Sequence, residues 1–166
     1  MSDKIYKVLF LCTKNSARSI MAEALLTTMG KGRFRGYSAG THAVESVNPF
    51  ALEQIKHTGY PLTNLRSKSW DEFGAADAPQ MDFIITVCDD AAGEACPYMP
   101  GQPLSAHWGF EDPTLVQGSD AEISAAFNKV FRQLMTRMNI FVSLPLEMLE
   151  KNAIHGELRA IGAGVV

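Results

Sequence analysis

A cysteine and an arginine near the start of the chain form the pattern Cys12-x5-Arg18, with Ser19 directly after the arginine. The apolar residues 8–11 before the cysteine predict a buried strand, and the apolar periodicity of residues 20–29 predicts a helix. A loop between a strand and a helix N-terminus points backbone N–H groups at one centre, which favours a bound anion. The same positive field lowers the pKa of a thiol. We therefore expect Cys12 to be a thiolate nucleophile in an anion-binding loop.

The whole loop is a candidate oxyanion site, because the guanidinium of Arg18 can donate a pair of parallel hydrogen bonds to a tetrahedral oxyanion. The predicted oxyanion-binding residues follow the nucleophile without a break and are Thr13, Lys14, Asn15, Ser16, Ala17, Arg18 and Ser19. The alternative is a buried cysteine at a strand end with a solvated arginine nearby. The agreement of residue types, spacing and strand–loop–helix context favours the catalytic interpretation.

The composition is that of an ordinary globular domain. The chain has 166 residues, of which 46% are hydrophobic and 20% are charged, and its net charge is −3. These values exclude neither an enzyme nor a binding module, but they do not indicate nucleic acid or a membrane as a partner. The polar first residues lack the apolar region of a secretion signal, so we expect a cytoplasmic protein. Three cysteines in that reducing compartment favour catalytic or redox roles over structural disulfides.

Strands alternate with helices along the chain, which predicts an α/β fold with a parallel sheet covered by helices. The predicted strands are residues 6–11, 34–39 and 81–87, with a short one inside 103–108. The predicted helices are residues 20–29, 49–57, 70–73 and 120–143, capped where possible by Asn48, Ser69 and Ser119. Pro145 is predicted to begin a last helix that ends near Ile154. We expect one catalytic domain, residues 1–155, followed by a loose tail, residues 156–166.

The pattern Cys12-x5-Arg18-Ser19, together with Asp112-Pro113 later in the chain, resembles the low-molecular-weight tyrosine phosphatase superfamily. The loop sequence, the later cysteines and the run of residues 107–113 resemble its arsenate reductase branch. The resemblance covers about residues 5–145. It implies a three-layer α/β fold, in which a four-stranded parallel sheet is flanked by helices and the catalytic loop joins the first strand to the first helix.

The resemblance also implies roles for individual residues. Cys12 matches the nucleophile and Arg18 matches the arginine that binds the oxyanion. Asp112 matches the general acid that protonates the leaving oxygen, although Asp-Pro by itself is typical of an ordinary turn. Asn15 matches a residue that holds the shape of the loop, and Ser19 matches a hydroxyl that helps to stabilise the thiolate.

Two later cysteines favour a reductase over a phosphatase. Cys88 ends the third strand, and the carboxyl ends of parallel strands share one edge, so we expect Cys12 and Cys88 on the same rim. The resemblance implies a relay in which Cys88 attacks the Cys12–arsenic adduct, arsenite leaves, and Cys96 then takes over the disulfide. The alternatives are two small buried thiols, or a zinc site, which the wide Cys-x7-Cys spacing disfavours.

The predicted reductase holds no cofactor and depends on an external thiol reductant, either thioredoxin or glutathione with glutaredoxin. The main alternative is a low-molecular-weight tyrosine phosphatase, which hydrolyses a cysteinyl-phosphate with water. Thr114 and Leu115 follow the Asp-Pro where those phosphatases have aromatic residues, although Trp108, Phe110 and Trp70 could line the site instead. A non-catalytic anion-binding or redox-sensing module is a third alternative.

The thioredoxin-coupled arsenate reductases also have a potassium site. Asn15, Glu23 and Ser38 match three of its positions, but the position of its fourth, acidic residue falls near Lys68. We therefore predict no metal, with the Lys68 ammonium supplying the positive charge. Lys14 stands where that group has glycine, and it either adds charge at the rim of the loop or points to solvent. These departures leave the electron donor open between the two reducing systems.

Overall fold

Parallel strands form the centre of the structure, which is a computed structural model that describes residues 4–43, 46–75, 77–88 and 103–163. Within those residues the sheet has the strands β1 (Tyr6–Cys12), β2 (Phe34–Gly40), β3 (Phe83–Thr86) and β4 (Leu104–His107). Their spatial order is β2-β1-β3-β4, and every pair is parallel. The predicted four-stranded parallel sheet is therefore confirmed, with β1 hydrogen-bonded on both sides.

The helices of the described residues are α1 (Arg18–Met29), α2 (Pro49–Lys56), α3 (Asp120–Val142) and α4 (Lys151–Ala163). Short 3₁₀ turns lie at Leu62–Asn64, Trp70–Phe73, Pro113–Leu115 and Leu146–Met148. The predicted caps are confirmed: Asn48 accepts from the Phe50 N–H, and Ser119 forms a reciprocal capping box with Glu122. None of these helices is both long enough and apolar enough to cross a membrane.

Both faces of β1 are buried, because successive strand residues point to opposite sides of the sheet. Val8 and Phe10 belong to a large core that includes the buried hydrophobic residues of all these helices. Leu9 and Leu11 belong to a smaller core on the other face, under the 3₁₀ turn Trp70–Phe73. A strand packed on both faces and paired along both edges gives the loop that follows Cys12 a rigid starting point.

The end of the chain differs from its prediction. Pro145 does not begin a helix to Ile154; a 3₁₀ turn comes first, and α4 then continues to Ala163. The expected loose tail is therefore wrong for residues 156–163. Leu158 and Ile161 follow Ile154 at helical spacing and are buried against the core, which outweighs the low helix propensity of glycine.

Candidate active site

The nucleophile candidate is the last residue of the central strand. Cys12 is only 4% exposed, and its carbonyl accepts from the Thr41 N–H at 3.1 Å. The loop turns immediately after it. A Cβ on Gly40, which lies beside Cys12 in the sheet, would stand 2.6 Å from the Thr13 carbonyl oxygen. Glycine at position 40 therefore allows the loop to fold back against β2, a requirement that the sequence analysis missed.

The middle of the loop is held by a buried asparagine. Asn15 has a φ of 52°, a left-handed conformation that asparagine tolerates better than most residues. Its side-chain amide donates to Ser19 Oγ at 2.8 Å and its Oδ1 accepts from the Lys68 N–H at 2.9 Å. Asn15 and Ser19 are both fully buried and are not among the residues that line the pocket, so they support the loop from behind.

Arg18 is the first residue of α1 and reaches across to a distant part of the chain. Its Nη1 donates to the Phe110 carbonyl at 2.9 Å, and its Nη2 lies 3.3 Å from Asp112 Oδ2. The loop and Asp112 thus enclose a pocket of about 230 Å³. Its lining residues are Cys12, Thr13, Lys14, Ser16, Ala17, Arg18, Asp112, Thr114 and Leu115.

Asp112 has a different partner on each carboxylate oxygen. Oδ1 accepts from the Thr114 N–H at 2.9 Å and from its hydroxyl at 2.6 Å, because Asp112 caps the turn Pro113–Leu115. Oδ2 faces Arg18 at the pocket. The cap fixes the rotation of the carboxylate, so that Oδ2 stays beside Arg18 in the wall of the pocket.

A second sulfur, that of Cys88 after the end of β3, lies next to Cys12, although Cys88 is not among the residues that line the pocket. It is 3% exposed, hydrogen-bonded to Cys12, and 3.4 Å from Thr13 Oγ1. The predicted placement of Cys12 and Cys88 on one rim is confirmed, and neither is in a disulfide. Cys96 lies outside the described residues.

The hydrogen bond to Cys88 and burial raise the pKa of Cys12, although Arg18 and the Thr13 N–H oppose this effect. The structure therefore differs from the prediction of a thiolate produced by the field of the loop alone. Two thiols in contact lose their protons in steps that belong to the pair, and the hydrogen bond with Cys88 opposes the loss of the proton from Cys12. The sequence could not reveal this coupling, because it depends on a contact between two strand ends.

A buried polar cluster lies behind the loop. Glu23 accepts from Ser38 Oγ at 2.7 Å and from Tyr60 OH at 2.7 Å. The Lys68 ammonium lies 3.8 Å from Glu23 Oε1 and 3.5 Å from Ser38 Oγ. Burial lowers the pKa of Lys68, while Glu23 opposes that shift. A potassium ion at this place would meet an ammonium group, so these residues do not fit a metal cation. The described residues also contain no group of three or more His, Cys, Asp or Glu side chains that could hold a metal ion.

The aromatic residues considered as pocket walls lie elsewhere. Trp108 is fully buried in the main core, and its Nε1 donates to the Leu158 carbonyl at 2.9 Å. Phe110 lies under the guanidinium of Arg137, and Trp70 packs against the smaller core. The wall beyond Asp112 is instead formed by Thr114 and Leu115, and Leu115 is 73% exposed.

A cysteine, an arginine and an aspartate around one oxyanion-sized pocket on this sheet define a phosphatase-like site. The family model described as low-molecular-weight phosphotyrosine protein phosphatase matches residues 7–154. The arsenate reductase of Bacillus subtilis is 36% identical over 141 residues, covering 85% of this chain and 96% of the relative. The chain belongs to the low-molecular-weight phosphotyrosine protein phosphatase family, in its arsenate reductase branch.

Solved structures agree with this assignment. The arsenate reductase from Archaeoglobus fulgidus superposes with a TM-score of 0.64 at 27% identity, covering 82% of this chain and 99% of that chain. An arsenate reductase in a phosphate-binding state gives a TM-score of 0.65, also at 27% identity, covering 84% of this chain and 98% of that chain. The fold of the described residues is therefore that of known arsenate reductases.

Proposed function

We propose that this protein reduces arsenate to arsenite, with Cys12 as the nucleophile and Cys88 as the second thiol. One observation carries the proposal: the Cys88 side chain is hydrogen-bonded to Cys12, the cysteine that lines the pocket. Hydrolysis of a cysteinyl-phosphate requires only one cysteine and a water molecule. A reduction requires two electrons, and a second thiol in contact with the first can supply them as a disulfide forms.

Binding of the oxyanion falls to the loop and Arg18. Arsenate near neutral pH is a tetrahedral dianion, and it attracts both the guanidinium and the backbone N–H groups that precede α1. Arg18 uses two contacts, to Phe110 and Asp112, and a guanidinium has five N–H donors. Its remaining donors are available to the oxyanion without loss of these anchors.

Cys12 gives its thiol proton to the bound arsenate dianion and attacks as a thiolate, which joins its sulfur to arsenic and breaks one As–O bond. Asp112, in its protonated form, gives its proton to the departing oxygen, which leaves as water. The Thr114 contacts on Oδ1 support this role, because they hold the carboxyl in one orientation. Cys88 then attacks the Cys12 sulfur as a thiolate, after losing its proton to solvent.

This second attack is the redox step. The bond between Cys12 and Cys88 forms, the S–As bond breaks, and its electron pair stays on arsenic. Arsenic is reduced from As(V) to As(III) and leaves as arsenite, while the two thiolates are oxidised to one disulfide. Cys96 then attacks Cys88, which releases Cys12, and thioredoxin or glutathione with glutaredoxin reduces the Cys88–Cys96 disulfide.

Phosphatase activity is the second candidate, because Cys12, Arg18 and Asp112 suffice for hydrolysis of a phosphomonoester. The described pocket wall disfavours phosphotyrosine as the substrate, since Thr114 and Leu115 offer no aromatic ring to stack on the substrate ring. We therefore expect phosphatase turnover only as a side activity on small aryl phosphates.

The deciding experiment measures arsenate-dependent NADPH oxidation with each reducing system added separately. The wild type should consume NADPH with one system, whichever is the physiological donor. Hydrolysis of p-nitrophenyl phosphate is measured in parallel as a control for the pocket. Absence of arsenate reduction with both systems, together with rapid hydrolysis, would make the protein a phosphatase.

A further inference from the structure

The segment that carries Asp112 also orients Arg18. We call residues 107–112, from the last residue of β4 to the turn Pro113–Leu115, the acid segment. Its Phe110 carbonyl accepts from Arg18 Nη1 at 2.9 Å, and its Asp112 carboxylate lies 3.3 Å from Nη2. Both contacts of Arg18 thus come from the acid segment, so a shift of this segment would move the guanidinium and the carboxylate together.

A second arginine, which does not line the pocket, contacts the acid segment. Arg137 projects from α3, and its Nη1 donates to the Gly109 carbonyl at 3.0 Å. Its guanidinium carbon lies 4.4 Å from the centroid of the Phe110 ring, a distance suited to cation–π stacking. One side chain therefore fixes two consecutive residues of the acid segment, and it does so without lining the pocket.

The C-terminal helix supports the same segment at its other end. The Leu158 carbonyl in α4 accepts from Trp108 Nε1 at 2.9 Å, inside the core. A Cβ on Gly162 would lie 2.3 Å from the His107 carbonyl oxygen and 2.8 Å from Trp108 Cδ1. The backbone of α4 thus packs directly on the start of the acid segment. Residues 155–163 lie beyond the match to the family model, which ends at residue 154.

We propose that Arg137 and α4 brace the acid segment, and that Arg137 is a positioning residue for Arg18 and Asp112. The proposal rests on the reaction proposed above, and it adds residues that touch neither the substrate nor Cys12. Without the brace, the Phe110 carbonyl no longer fixes the direction of Arg18, and Asp112 drifts from the leaving oxygen. Misplacement by about 1 Å at a reacting group costs up to about 100-fold in rate.

The first test compares two substitutions on the same helix. Arg137→Gln removes the stacking and the hydrogen bond, whereas Arg132→Gln removes an exposed arginine of α3 and is the matched control. We expect Arg137→Gln to lower kcat/KM for arsenate by about tenfold or more. KM should rise because Arg18 binds the oxyanion, and kcat should fall because Asp112 protonates the leaving oxygen. Arg137→Lys should recover part of the loss, since lysine keeps the charge but not the planar stack.

The second test compares two glycines of α4. Gly162→Ala introduces a Cβ against the His107 and Trp108 atoms, whereas Gly156→Ala meets no atom within 4 Å. Both changes favour the helix equally, so a difference between them reports the contact with the acid segment. We expect Gly162→Ala to change Trp108 fluorescence and to lower kcat/KM severalfold, and Gly156→Ala to leave both at the wild-type values.

Binding of inorganic phosphate, measured by calorimetry, separates the brace from the proposed reaction. A weaker phosphate affinity in Arg137→Gln than in Arg132→Gln supports the brace even in a protein that fails to reduce arsenate. Equal phosphate affinity and equal kcat/KM in these two variants, or a lowered melting temperature with unchanged kinetics, would overturn the brace. Failure of the wild type to reduce arsenate would overturn the reaction instead.

Discussion

The catalytic loop, residues 12–19, and the acid segment, residues 107–112, face each other across one pocket but are held in different ways. The loop is fixed from behind by buried groups close to its own backbone, such as Asn15 and the glycine at position 40. The acid segment is fixed by Arg137 and by α4, which follow it in the chain. The proposed nucleophile Cys12 and the proposed general acid Asp112 therefore depend on separate supports, and each support can be removed without the other.

Loss of the nucleophile should have the largest effect. Cys12→Ser removes the sulfur that both proposed reactions require, so arsenate reduction and hydrolysis of p-nitrophenyl phosphate should both become undetectable. Phosphate binding, measured by calorimetry, should persist because Arg18 and the loop backbone remain. A Cys12→Ser variant that still reduced arsenate would assign the chemistry to another residue.

Loss of the proposed general acid, Asp112, should have the second-largest effect. Asp112→Asn keeps the size of the side chain and removes its proton, and general acid catalysis contributes about 10²–10⁴-fold. We expect kcat for p-nitrophenyl phosphate to fall within that range. The matched control is Glu111→Gln, since Glu111 is an exposed neighbour that pairs with Lys129. Equal effects of the two substitutions would remove the general acid role from Asp112.

A change in the support of the loop should show how strongly phosphate affinity depends on the conformation of the loop. Gly40→Ala places a Cβ 2.6 Å from the Thr13 carbonyl oxygen, so the loop must shift. We expect about a tenfold loss of phosphate affinity, because the N–H groups of the loop no longer converge. Gly59→Ala is the matched control, because an added Cβ there would meet no atom within 4 Å. Gly59 has a φ of +82°, so the substitution should lower stability without changing phosphate affinity.

The contact between the two thiols predicts a pKa change. Cys88 raises the pKa of Cys12, so Cys88→Ala should lower that pKa, and Cys12 should react with iodoacetamide at a lower pH than in the wild type. The rate of Cys12 modification is followed by peptide mass spectrometry across the pH range. An unchanged pH profile would mean that the two sulfurs do not share a proton.

The smallest expected effect concerns the buried lysine. Lys68→Ala leaves Glu23 with its hydrogen bonds to Ser38 and Tyr60 but without a positive charge. Potassium chloride should then raise the melting temperature of the variant more than tetramethylammonium chloride does, and the two salts should act equally on the wild type. A potassium-specific effect on the wild type would show that the ammonium does not replace an ion.

Local patterns predicted the loop, the parallel sheet and the caps, because each depends on residues close together in sequence. The placement of Cys12 and Cys88 on one rim followed from the rule that parallel strands end on one edge, but their hydrogen bond did not. The roles of Gly40, Gly162 and Arg137 could not be predicted, since each depends on the approach of a distant backbone. The C-terminal helix was not predicted because the low helix propensity of its glycines indicated a loose tail. The helical spacing of the apolar residues Ile154, Leu158 and Ile161 outweighs that propensity in the structure.

The central claim is that Cys88 makes this site a reductase, and the Cys88→Ser variant tests it most directly. Arsenate-dependent NADPH oxidation and p-nitrophenyl phosphate hydrolysis are measured on the same preparation. If Cys88 is the second thiol, Cys88→Ser should lose arsenate reduction while hydrolysis remains measurable, because the pocket and Asp112 are unchanged. Arsenate reduction at the wild-type rate in Cys88→Ser would contradict it.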